Sequence, residues 1–299
     1  DPPDDLRGAL PFPAIAGKAL ELVQRVHARA KLRGGIPGVP TGIKSLDDAL
    51  GGLQRGLHLL GASPGAGKTA LALNIARHAA AVHQLPVVYA SFDEVPERLA
   101  LKVLAQAGKV SASDMGSGRT DPAKVAALID QHAAAHRTLS FVVGGAKLTA
   151  PDLMDQLQDR MKAHAQDIGL IVVDYLQPWA SAIASTAERP MEIRAAVGGT
   201  ALALRDIANQ MEAAVLLVSA LNRTGQEKER PSMTSFRESS DLEYGADSIM
   251  ALAADPEVTV GSNKRAVGLH ILKNRFGPND KHIGLVLDGP TQVMAERGA

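Results

Sequence analysis

Apolar positions along this chain keep two spacings, and the change from one to the other marks the elements. From Gly42 onward, short apolar runs alternate with longer stretches in which apolar residues recur every three or four places. "LHLLGA" precedes "KTALALNIARHAAAV", "PVVYASF" precedes "PERLALKVLAQA", and "LSFVVGG" precedes a helical pattern near residues 151–166. "GLIVVDYL" leads to another helical pattern near 191–212, which "AAVLLVSAL" follows. After a polar loop come three further strand-like runs, "SIMALAA", "VGLHILKNR" and "HIGLVLD". This alternation predicts an α/β fold: a mostly parallel twisted sheet, helices on both faces, and ligands at the carboxyl ends of the strands.

Ahead of that unit, Ala19, Val23, Val26 and Ala30 recur at helical spacing opposite Lys18, Arg25 and Arg29, which predicts one amphipathic helix from Ile15 to Leu32. Gly34-Gly35 ends it, and "GIPGVPTG" follows as an irregular connector. Two readings stand side by side: the helix covers its own domain, or it docks on a neighbouring subunit. Residues 1–13 are rich in Pro and Asp and are expected to be mobile. The expected organisation is therefore a mobile terminus and helix over 1–35 and one α/β unit over 36–299.

Composition narrows this picture without redirecting it. The 299 residues are 45% hydrophobic but only 3% aromatic, which suits helices packed on aliphatic strands. Formal net charge is zero, so a basic surface for nucleic acid has to be local or built by assembling several copies. The absence of cysteine excludes disulfides, thiol catalysis and cysteine-ligated zinc, and fits a reducing cytoplasm. No apolar run approaches the roughly 18 to 20 residues of a membrane span, and "DPPDDLRG" is not a signal peptide. A first residue of Asp rather than Met is what a chain trimmed from a longer parent would show.

The strongest candidate chemistry is "ASPGAGKTALALNIA". Across Ser63, Pro64, Gly65, Ala66, Gly67, Lys68, Thr69 and Ala70, the glycines permit a tight loop whose N–H groups face phosphate oxygens. Lys68 reaches the outer phosphates, and Thr69, opening a helix, offers its hydroxyl to magnesium. This is a Walker A loop, with Ala62 in the place of its usual first glycine. In "LIVVDYLQ", four apolar residues precede Asp174, as in a Walker B strand that brings a carboxylate to the metal. ATP and Mg2+ are the ligands these two elements imply.

With these motifs in place, the chain resembles the carboxyl-terminal, RecA-like motor domain of DnaB-type replicative DNA helicases. The strings "GVPTGIKSLDDALGGLQRG", "ASPGAGKTALALNIA", "DYLQ", "SALNR", "RPSMTSFRESSDLEYGADSIM" and "KNRFGP" carry the likeness, over roughly residues 36 to 295. It does not extend to the family's amino-terminal collar domain, although the helix at 15–32 resembles the linker helix that docks on the adjacent subunit. The resemblance implies a RecA-like P-loop NTPase whose copies form a homo-oligomer, a hexameric ring that hydrolyses ATP at subunit interfaces, moves on single-stranded DNA and unwinds duplex during replication. Primase and a helicase loader are the further partners it implies.

On matching positions, Arg275 corresponds to the arginine finger aimed at the neighbour's γ-phosphate and Lys273 to the lysine beside it. Without the family, the pair reads as solvated cations at a strand end. "FRESSD" resembles the loop that tracks the DNA strand, with Arg237, Glu238 and Ser239 on the matching places and Ser240 where a glycine is usual. Arg223, in the mixed-charge "NRTGQEKER", is a further DNA candidate, though a solvated loop accounts for it equally well. The family's γ-phosphate-sensing glutamine is replaced by Ala220, which leaves Ser219 or Asn222 as substitutes.

"SFDEVP" poses a choice. The family's water-aligning glutamate falls on Asp93, one methylene short, while the adjacent Glu94 has the length but not the register. Neighbours on a strand point to opposite faces, so only one of them can serve unless the strand has already ended; Asp93 is preferred. His132 and His136 read as surface histidines on an Ala-rich helix. Trp179 falls in what reads as a polar loop, "PWASAIAS", where it could stack on a base. Two rival activities remain: a RecA- or KaiC-like recombination mediator that hydrolyses ATP without unwinding, and a nucleotide-gated ring platform that barely hydrolyses it.

Overall fold

The computed structural model describes residues 11–145, 148–164, 169–186, 191–221, 231–236, 242, 245–256 and 258–298. The apolar runs become β1 (Gly56–Ala62), β2 (Val87–Ser91), β3 (Leu139–Val143), β4 (Leu170–Asp174), β5 (Ala214–Ala220), β6 (Ser248–Ala254), β7 (Lys264–Asn274), β8 (Lys281–Asp288) and the short β9 (Met294–Glu296). They form one sheet in the order β3-β2-β4-β5-β1-β6-β7-β8-β9. From β3 to β6 every pairing is parallel, and from β6 to β9 every pairing is antiparallel. The switch follows from the connections: helices cross over between the early strands, whereas the connections from β6 to β9 are nine residues or fewer, too short for the crossover that a parallel pairing needs.

The helices are α1 (Phe12–Leu32), α2 (Lys44–Leu50), α3 (Lys68–His83), α4 (Pro96–Gly108), α5 (Ala112–Gly116), α6 (Pro122–His132), α7 (Ala150–His164), α8 (Leu176–Thr186) and α9 (Ile193–Gln210). Both faces of the parallel region are covered, as the unbroken apolar strands require. Leu60, Tyr89, Val172 and Leu216 pack with Leu71 and Ile75 of α3 on one face. Leu59, Val88, Ile171 and Leu217 pack with Trp179 of α8 and Leu204 of α9 on the other. Adjacent strand residues thus serve opposite cores, the period of two that a pleated strand imposes. Among the described residues no helix is long and apolar enough to cross a membrane.

Three expectations are corrected. "PWASAIAS" is not a polar loop but part of α8, and Trp179 is not free to stack on a base. Its side chain is fully buried, its ring lies 4.6 Å from the Phe92 ring at an interplanar angle of 17°, and its Nε1 donates to Leu148 O at 2.7 Å. Three small alanines and two serines hid the helix, because their polarity averages out an apolar stripe built on Leu176, Trp179 and Ala180. His132 and His136 are half-buried rather than surface residues; α6 ends at His132, and His136 Nδ1 lies 2.8 Å from His132 O in the turn beyond. Trp179→Ala is expected to lower unfolding free energy by about 3–5 kcal/mol, seen as a lower urea midpoint at unchanged slope. A change within error would contradict a core role for the indole.

The helix expected over 15–32 starts earlier, at Phe12, with Pro13 in its first turn. None of its residues is buried, and Phe12, Leu20 and Val23 lie exposed. It touches the sheet domain through charge: Arg25 Nη1 lies 3.4 Å and Arg29 Nη2 3.9 Å from Glu212 Oε2, a carboxylate that Arg55 also pairs at 2.9 Å. Such exposed pairs add little stability, so the apolar stripe of α1 is left uncovered within the described chain.

Candidate functional site

β1 and β4 lie on either side of β5 and deliver two groups to the same end of the sheet. After Ala62 the chain turns through Ser63, Pro64, Gly65 and Ala66, with Ala66 N donating to Ser63 O at 3.1 Å, and enters α3 at Lys68. Gly65 and Gly67 hold φ of +76° and +96°, left-handed values that side chains with a Cβ disfavour. A Cβ at Gly67 would also stand 2.8 Å from both Leu287 and Met294 side-chain carbons. Gly67 caps α3 without a side-chain acceptor, so the first-turn N–H groups and the positive helix end are kept for an anion. Pro64 and Gly65 are exposed, Ser63 and Ala66 to Thr69 half-buried, and Ala70 is packed in the core. Arg265 Nη1 donates to Gly65 O at 2.9 Å and fastens the loop from β7.

Asp174 ends β4 and is 4% exposed. The Tyr89 hydroxyl donates to its Oδ2 at 2.7 Å, while its Oδ1 is buried with no hydrogen-bond partner among the described residues. Burial pushes the Asp174 carboxyl above its ordinary value, the Tyr89 and Thr69 hydroxyls and the Lys68 ammonium pull it back, and Asp93 pushes it up. An orphaned buried carboxylate oxygen beside a threonine hydroxyl is a hard-oxygen donor set that fits magnesium. Lys68 Nζ lies 4.6 Å over the Tyr175 ring, which places a cation–π contact next to the same carboxylate.

The strand before the two adjacent acids stops at Ser91, so Asp93 and Glu94 lie in a turn and face alternation no longer restrains them. Ser91 Oγ donates to Glu94 O at 2.6 Å and accepts from Glu94 N at 3.2 Å. Glu94 Oε2 is ion-paired with Lys102 Nζ of α4. Asp93 is exposed and close enough to raise the pKa of both Asp174 and Tyr175. The longer acid is thus turned to a lysine, and the shorter one stands near Asp174 and Tyr175.

Lys273 is half-buried in β7, in register with Ile249, and Arg275 follows the strand. Because β7 runs antiparallel to β6, Arg275 emerges at the amino-terminal end of β1, and its N–H donates to Asp247 O at 2.9 Å. The phosphate loop leaves the other end, about 20 Å away at ~3.3 Å per strand residue. The structure therefore brings Lys68, Thr69, Asp174 and Asp93 together and holds Arg275 and Lys273 apart from them. Arg223, Arg237, Glu238 and Ser239 lie outside the described residues, as do Asn222 and Ser240.

Sequence reasoning missed Arg265, Tyr89 and the role of Gln177. Gln177 Nε2 donates to Ser219 Oγ at 2.8 Å and its Oε1 accepts from Ala220 N at 3.1 Å. A carboxamide from α8 thus grips the end of β5 beside the position where the expected glutamine is replaced. Tyr89 announces itself as the one hydroxyl-bearing aromatic in an apolar strand, whereas nothing near Arg265 in sequence marks it.

The chain matches the family model described as DnaB-like helicase C terminal domain over residues 38–291. It is 29% identical over 260 residues to the replicative DNA helicase DnaB of Geobacillus stearothermophilus, covering 86% of this chain and 55% of that protein. The chain thus spans about half the length of the curated relatives it matches. Its fold superposes on the ATPase domain of G40P with a TM-score of 0.79 at 22% identity, covering 94% of this chain and 98% of that one. A DnaB-like replicative helicase whose structure was solved for its interactions with primase superposes with a TM-score of 0.76 at 22% identity, covering 97% and 67%. Both likenesses show the RecA-like α/β fold.

Proposed function

Because the chain belongs to the DnaB-like helicase C-terminal domain family, we propose that it is the motor of a ring-forming, ATP-dependent DNA helicase, which hydrolyses ATP between subunits to move on single-stranded DNA and unwind duplex during replication. The observation that carries this reading is that the loop bearing Lys68 and the residue Arg275 lie at opposite ends of β1, a strand about 20 Å long at ~3.3 Å per residue. One chain cannot bring both to one phosphate, but a neighbour's Arg275 can complete the site in a ring. In this reading Lys68, with the loop from Ser63 to Ala70 and its backbone N–H groups other than at Pro64, binds the phosphates, and Asp93 orients water. Arg275 and Lys273 of the adjacent copy neutralise charge on the phosphoryl group in transfer. Magnesium, when bound, would be held by Thr69 and Asp174 and would supply charge neutralisation at the phosphates.

Residues 36–299 form the motor in this proposal, and residues 1–35 the linker whose exposed apolar stripe docks on a second copy. Arg237 and Arg223 hold DNA phosphates through their guanidinium groups, Glu238 and Ser239 add backbone N–H donors, and six copies around one channel reconcile that contact with zero net charge. Primase and a loader are the proposed partners, and the cytoplasm the compartment. Gln177 argues against the barely hydrolysing platform, since its hold on Ser219 and Ala220 supplies a polar link that Ala220 alone lacks.

Unwinding of a forked DNA duplex with ATP and magnesium tests the proposal. Strand separation that stops when ATP is replaced by a non-hydrolysable analogue is expected. Hydrolysis stimulated by single-stranded DNA without strand separation would favour the mediator, and ATP-dependent assembly with negligible hydrolysis the platform.

A further inference from the structure

The end of β1 remote from the phosphate loop is organised around one acid that the proposed mechanism does not use. Asp247, just before β6, is only 15% exposed in its side chain. Its N–H donates to Leu57 O at 2.7 Å and its Oδ2 accepts from Leu57 N at 2.9 Å, so it holds the start of β1 from both sides. Its backbone O accepts from Arg275 N at 2.9 Å, and its Oδ1 accepts from Arg275 Nη1 at 2.9 Å. Gly56 makes room for this carboxylate: its φ is +133°, and a Cβ there would stand 2.2 Å from Asp247 Oδ2. Beyond Arg275 the turn is stiffened by Asn274, whose Oδ1 accepts from Phe276 N at 2.9 Å and whose Nδ2 donates to Ala49 O at 3.0 Å.

We propose that Asp247 is a positioning residue for the trans-acting arginine. One carboxylate and its peptide fix both the backbone and the guanidinium of Arg275, and the same group anchors the strand that ends in the subunit's own phosphate loop. The arginine a subunit offers its neighbour is thereby referenced to the strand that carries its own nucleotide. This rests on the reading of Arg275 as the residue that completes the neighbour's site. Pairing with Asp247 orients the guanidinium at the subunit edge, where 42% of the side chain remains exposed to meet a phosphate.

The test is ATP hydrolysis with oligo-dT by Asp247→Asn, which keeps an oxygen for Leu57 N–H and loses the charge that orients Arg275. Misplacing a catalytic group by about 1 Å costs around 10²-fold in rate, so kcat is expected to fall by about that factor with the KM for ATP unchanged. Mixing the variant with Lys68→Ala chains, which have an intact arginine but no working phosphate loop, is expected to restore hydrolysis, because the defect lies in what the variant offers its neighbour. Gly56→Ala, which displaces the carboxylate and leaves its charge, is expected to behave likewise. Arg275→Ala mixed with Lys68→Ala is the control. If that control is rescued and Asp247→Asn is not, Asp247 serves its own subunit's site and the inference is overturned. If the control is not rescued, the trans role of Arg275 fails and the inference falls with it. Full kcat in Asp247→Asn also overturns it.

Discussion

Alanine at Arg275 is expected to leave nucleotide binding intact and to lower DNA-stimulated hydrolysis by about 10³-fold or more, the scale on which an arginine finger acts. The size follows from the chemistry. A guanidinium held in a water-poor interface meets charge that develops on the phosphoryl oxygens only as the bond breaks, so its removal costs rate and not ground-state affinity. The position follows from the sheet. β7 runs antiparallel to β6, so its last residues emerge at the start of β1 and not at the phosphate loop. Binding of a fluorescent ATP analogue, measured beside steady-state turnover, separates the two quantities. Weak binding at normal turnover per bound nucleotide would place Arg275 in its own subunit's pocket, and unaltered turnover would remove it from catalysis. Lysine at 275 should recover little, since one ammonium cannot reproduce a planar two-pronged donor.

The second large effect is expected at Asp93. Asp93→Asn should lower hydrolysis by about 10²- to 10⁴-fold, the range in which a positioned acid or base acts, with ATP still bound. Glu94→Gln should keep most of the rate, because Glu94 is committed to Lys102 and its backbone is folded onto Ser91. Loss of that partly buried, charge-assisted pair should cost about 1–3 kcal/mol of stability. Single-turnover hydrolysis after confirmed ATP binding decides between them, and an inactive Glu94→Gln beside an active Asp93→Asn would reverse the assignment. Asp93→Glu keeps the charge and restores the missing methylene, so it reports whether reach limits the rate.

Much of this was readable along the chain. The phosphate loop is a local device: two glycines, a lysine and a threonine before an apolar helix dictate its conformation within a few residues, and Gly65 and Gly67 do adopt left-handed φ. Asp174 was legible because a buried parallel strand is a continuous apolar run and an acid at its end stands out. Long runs such as "LIVVD" and "AVLLVSA" were placed to within a residue or two for the same reason. α8 was not legible, since alanine and serine carry too little polarity contrast to reveal which face is buried.

The linear chain therefore established the α/β class, the phosphate loop, the acid that ends β4 and the family, all of which rest on patterns within a window of a few residues. That Glu94 pairs with Lys102 on α4 while Asp93 stands near Asp174 was decided by folding, across a turn that periodicity does not describe. The separation of Arg275 from Lys68, and the seat of Asp247 against Leu57 across 190 residues of sequence, likewise came from strand order. Strand order is a property of how crossovers and turns stack the sheet, and hydrophobic spacing along a chain is the same whichever neighbour a strand finally takes.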